Sequence, residues 1–97
     1  MLNLNERQWL QETRRHIRIA LVKAELGDWD AVITVLRPIV QTTATNATLE
    51  VTNLLASLTA STPSHLRSNA EMRAAAIRRL EETKALIGEL LVATTDH

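Results

Sequence analysis

The sequence contains no cysteine, which removes disulfide frameworks, thiolate metal sites and cysteine nucleophiles from consideration. It has no phenylalanine and no tyrosine, so its only aromatic residues are Trp9 and Trp29. A core must then be built from Leu, Ile, Val and Ala, which suits helix packed on helix. Two glycines and two prolines are too few for the many turns of a small β-sandwich or barrel. Charge of one sign is missing as well: eleven basic and eleven acidic residues cancel to a formal net charge of zero. A sequence-independent nucleic-acid binder needs a surplus of Lys and Arg to displace counterions, so that class is disfavoured. No apolar run approaches the ~20 residues that span a bilayer. The stretch Met1–Arg7 lacks the apolar segment of a secretory signal. The expectation is a cytoplasmic protein without a membrane segment.

What is present is helical periodicity. The 97 residues, 45% of them apolar, are expected to form one domain over 1–97. A chain of this size buries roughly 60–68% of its unfolded surface. Its organising stretch is the junction Leu26-Gly27-Asp28-Trp29-Asp30. Gly27 can take the left-handed conformation that stops a helix, because it has no Cβ to clash. Asp28 can cap the following helix, and Asp30 sits favourably near its positive end. Trp29 opens an apolar stripe through Val32, Ile33, Leu36, Ile39 and Val40. Gly27, Asp28 and Trp29 thus form the structural junction of a helical hairpin.

Spacing and caps predict helices over 4–26, 29–40, 47–60 and 63–92. The fold class is all-α, a small antiparallel bundle of about four helices with a long C-terminal helix. In the first helix, Asn3 or Asn5 is the cap. Leu10, Ile17, Leu21 and Ala24 form one stripe; Ile19, Val22 and Leu26 form a second, as expected where two neighbours cover a helix. Pro38 removes one backbone hydrogen bond and crowds the carbonyl four residues back, so a kink or an early end near Leu36 is expected.

A polar loop follows at Gln41–Asn46, with Thr45 or Asn46 capping the third helix. There Ala47, Val51, Leu54, Leu55 and Leu58 share a face. That helix is weakly charged, so close packing on both flanks is expected. Thr62-Pro63 is a cap with proline at the first helical position. Ser68-Asn69-Ala70-Glu71 offers a second start signal, a capping box. One helix running on from Pro63 is preferred over a break at Ser68. Its apolar seam is Ala70, Ile77, Leu80, Ile87 and Leu91. The pairs Arg78/Glu82 and Glu81/Lys84 are spaced to meet on its surface. A fraying tail is expected from Val92 to His97.

Motifs for catalysis are lacking. His16, His65 and His97 lie on different segments, and there is no HExxH, no paired metal-ligand spacing and no glycine-rich phosphate loop. No catalytic, cofactor or metal site is expected. The basic cluster Arg14, Arg15, His16 and Arg18 reads as a solvated face, or alternatively as a docking patch for an acidic segment. Arg67, Arg73, Arg78 and Arg79 are interleaved with Glu71, Glu81 and Glu82 and lack an aromatic platform, which argues against nucleic acid. Protein binding remains: a long last helix can cover, or compete for, a groove that takes an amphipathic partner helix. A second copy of the chain is another candidate partner.

Four short stretches together resemble a known family. Gly27-Asp28-Trp29-Asp30 follows the first helix; Asn69-Ala70-Glu71-Met72 opens the last; Arg79-Leu80-Glu81-Glu82 and Leu86-Ile87-Gly88 continue it. The pattern, spanning about Trp9 to Leu91, is similar to FliT, the flagellar type III export chaperone family. The chain departs from it at Thr83, where leucine is usual, and at Pro38. The resemblance implies a cytoplasmic chaperone that binds the C-terminal helices of a filament-cap protein and delivers it for export. It places Arg73, Ile77, Leu80 and Ile87 at or near the partner site. Gly27, Trp29, Val32 and Leu36 also match half of a tetratricopeptide repeat. No second copy at a ~34-residue period is visible, so a generic helical adaptor is the alternative.

Overall fold

Five helices make up the computed structural model, which describes residues 3–42 and 45–93: α1 (Leu4–Glu25), α2 (Trp29–Val40), α3 (Leu49–Thr59), α4 (Pro63–Ser68) and α5 (Ala70–Ala93). There is no strand among the described residues. Thr94–His97 of the expected tail, and Thr43 and Ala44 of the expected loop, lie outside them. Of the two predicted caps, Asn3 starts α1. Its side chain accepts from the Glu6 N–H at 2.7 Å, and the Glu6 carboxylate accepts from the Asn3 N–H at 3.0 Å. This reciprocal box satisfies two donors that the helix start leaves over.

The predicted junction forms as expected. Gly27 has φ +77°, and its N–H donates to Ala24 O at 3.0 Å. The Asp28 N–H donates to Lys23 O at 2.9 Å, completing the Schellman pairing that closes α1. The Asp28 carboxylate then accepts from the Ala31 N–H at 3.2 Å and starts α2. Trp29 is buried directly behind it.

α1 packs on α2 and α5, α3 packs on the same two helices, and α4 bridges α2 and α5. Among the described residues the backbones of α1 and α3, and of α2 and α5, do not come close, so the four longer helices close a ring. Direction alternates around it. The Trp9 indole donates to the Thr42 hydroxyl at 3.1 Å, which sets the start of α1 beside the end of α2. Met72 and Ala75 of α5 lie beside Ser57 and Leu58 late in α3, while Arg79 lies beside Leu49 and Glu50 at its start. The buried positions of α1 (Leu10, Thr13, Ile17, Ala20, Ala24) and those of α5 (Ala76, Leu80, Thr83, Ile87, Leu91) each follow spacings of three and four. Such a seam keeps two helices in contact along their length. A tetratricopeptide stack is open-ended; here α5 returns to α1.

Several expectations need correction. α2 keeps its predicted span of 29–40, and of the two outcomes expected at Pro38 the early end near Leu36 does not occur. Pro38 lies exposed in the last turn, and Ile39 just beyond it is held in the core, so packing keeps that turn in place. α3 starts at Leu49, not at Ala47, because Thr45–Thr48 closes a separate turn. In that turn the Thr45 N–H donates to the Thr48 hydroxyl at 2.9 Å and the Thr48 N–H to Thr45 O at 3.1 Å.

The preferred single helix from Pro63 is two helices. Asn69 adopts φ −132°, ψ 107°, and its side chain accepts from the N–H groups of Glu71 and Met72 at 3.0 and 3.2 Å. Ser68, the expected cap, donates back to His65 O instead. The break lets Leu66 reach the core and brings Arg67 within 2.6 Å of Asp30. Finally, the second α1 stripe of Ile19, Val22 and Leu26 is exposed, because α2 and α5 both meet α1 on the opposite face. The surface pairs Arg78/Glu82 and Glu81/Lys84 do not form; among the described residues the ion pair is Arg67–Asp30.

Candidate protein-binding surface

The residues that the family resemblance placed at a partner site are not brought together on one surface. Leu80 and Ile87 are 0% exposed, within the hydrophobic core. Ile77 is half-buried against the core. Arg73 is half-buried and engaged within the chain: its guanidinium donates to Leu66 O at 3.1 Å and to Arg67 O at 2.5 Å. These carbonyls are among those that the C-terminal end of α4 leaves without helical partners. Gly27, Asp28 and Trp29 are structural, as the junction geometry requires. The Trp29 indole N–H is buried with no acceptor among the described residues, so Trp29 acts through apolar area.

A surface open to a partner lies elsewhere, along the furrow between α3 and α5. Two depressions meet there at Arg79. One is lined by Ser57, Leu58, Leu66, Met72 and Ala75, the other by Leu49, Glu50, Asn53 and Leu54. Glu50 is the single charged residue in α3. Asn53, Ala56 and Ser57 face solvent on α3, and Ala74 and Ala75 do so on α5. An exposed helix flank normally carries charges that keep it solvated. Small uncharged side chains also let another helix approach closely, since interaxial distance follows the side chains at the contact. Arg79 is half-buried in the middle of this furrow, with no ion pair to its side chain among the described residues. The signal was present in the sequence as the weak charge of α3, and it reads there as burial on both flanks.

Polar chemistry is spread out rather than gathered. Glu6 accepts from the Asn3 N–H and also from the Thr45 hydroxyl. These bonds, the Asn3 one first, hold its carboxyl below the usual range because both favour the charged form. The ring Nδ1 of His16 donates to Glu12 O at 2.7 Å, while His65 lies in the first turns of α4. Among the described residues, no three His, Asp or Glu side chains converge to hold a metal ion. No helix among them is long and apolar enough to cross a membrane. Comparison with known proteins finds no family model, no curated protein and no solved structure that matches the chain.

Proposed function

We propose that the protein is a non-catalytic binding module whose α3/α5 furrow takes one amphipathic helix of a partner protein. The observation that carries this reading is the weakly charged flank of α3, where Asn53, Ala56 and Ser57 are exposed and Glu50 is the single charge, with Arg79 of α5 lining both depressions beside it. A matching helix presents small and apolar residues to Ser57, Leu58 and Met72 and an acidic side chain to Arg79. Apolar anchors at helical spacing give affinity in such a groove, and the charge fixes register.

The finer form of the proposal rests on the residues that resemble the FliT family. In that form the module is a cytoplasmic export chaperone, and the partner helix belongs to the C-terminal region of a filament-cap protein. The furrow then replaces the buried seam of Leu80 and Ile87 as the contact surface. Titrating a filament-cap C-terminal segment into the isotope-labelled protein tests both levels. Binding at micromolar concentration is expected, with amide shifts confined to α3 and the first half of α5. Arg79→Glu and Ser57→Arg should weaken it while circular dichroism stays unchanged. Absence of binding to the folded protein overturns the chaperone form. Binding that both variants leave untouched overturns the furrow as the site.

A further inference from the structure

The exposed stripe on α1 carries an inference independent of the furrow. Ile19, Val22 and Leu26 are 42, 56 and 73% exposed and share the face of α1 that points away from the core. Scattered exposed apolar residues are ordinary; three in one row on a helix are a patch. On one flank of this row stand Arg18 and Glu25, both exposed, seven residues apart and on either side of Val22. Within α1 the residues that a helix sets beside Arg18 include Arg14 and Arg15 but no acid. Those beside Glu25 are Leu21 and Val22, and Asp28 follows it in the junction. Neither charge finds an opposite partner on its own helix.

A two-fold axis near Val22 supplies what the single chain lacks. Two α1 helices laid antiparallel on this face set the apolar row of one against that of the other. The same operation places Arg18 of each copy opposite Glu25 of its mate, twice. An isologous interface demands this self-complementarity, in which residue i meets j and j meets i. We propose that the outer face of α1 is a homodimer interface, its occupant a second copy of this chain. One helix face is smaller than the ~800 Å² per partner of a stable dimer, so the dimer is weak and concentration-dependent.

Sedimentation equilibrium of the full chain over micromolar to millimolar concentration tests the proposal, with circular dichroism confirming that each variant is folded. The wild type is expected to shift from monomer to dimer across that range. Arg18→Glu sets Glu against Glu at both ends and should raise the dissociation constant by about tenfold or more. Arg18→Glu combined with Glu25→Arg restores the pairing with signs exchanged and should restore the dimer. Val22→Glu should abolish it. A protein that stays monomeric to millimolar concentration overturns the proposal. So does a single charge variant that dimerises as well as the double exchange.

Discussion

Two junctions in this molecule do the same task by different means. At Asp28 and again at Asn69, one helix gives way to the next with almost no intervening loop, and an Asx side chain caps the incoming helix. The first junction is closed by backbone alone. Gly27 turns left-handed, and the leftover carbonyls of Lys23 and Ala24 are met by the N–H groups of Asp28 and Gly27. The second has no glycine. Asn69 stays extended, and the carbonyls of Leu66 and Arg67 are met by the side chain of Arg73 from the next helix. An ion pair from Arg67 to Asp30 then ties this second junction to the first. A helix end can thus be satisfied locally by conformation or remotely by a cation, and only the local solution depends on one special backbone angle.

Substitutions can break this contrast. The largest effect is expected at Trp29, which anchors the first junction from inside the core. Trp29→Ala should cost about 3–5 kcal/mol in denaturant unfolding, a large part of the stability of a small domain. Gly27→Ala should cost roughly 1–2 kcal/mol. A Cβ there meets no atom within 4 Å, so the whole cost is the left-handed backbone. A neutral result would mean that the turn relaxes away from φ +77°.

At the second junction Arg73→Ala should cost about 1 kcal/mol through the carbonyls it leaves unpaired. Hydrogen exchange is the sharper measurement here, since α4 should open while the α1–α2 hairpin stays protected. If α4 is unaffected, Asn69 alone closes the junction and the contrast collapses. The smallest effect belongs to Asp30→Asn. Both partners of the Arg67–Asp30 pair are well exposed, at 48% and 70% of their side chains. Pairs of this kind contribute about 0.2–1 kcal/mol, and that contribution should fade further in high salt.

These junctions also show how far the sequence is readable. Gly27 followed by Asp28 announces a stop and a start within two residues, and both occur where the spacing places them. A break here is announced too, but with Ser68 as the cap, and an unbroken helix from Pro63 satisfies the local rules as well. What separates these choices is the burial of Leu66 and the reach of Arg67 to Asp30, thirty-seven residues away in the chain. Pro38 is a similar case. Its local penalty argues for a break, yet Ile39 lies in the core and the helix continues. The candidate site was less legible than the fold. Leu80 and Ile87 stand out as apolar residues on a long helix, but so does any core residue. The weakly charged face of α3 looks the same in sequence whether it is covered by the chain or left for a partner.

By itself the sequence determined the helical class, the hairpin at Gly27 and the caps at Asp28 and Thr62, and it narrowed the first cap to Asn3 or Asn5, because each depends on residues within a few positions along the chain. The closing of α5 onto α1 was decided only in three dimensions. So were the burial of Leu10 and Ile17 over Ile19 and Val22, the break at Asn69 and the furrow that α3 leaves open beside α5. The physical reason is that a helix offers more than one apolar arc. Which arc is buried depends on where its neighbours come to lie, and no local preference carries that information.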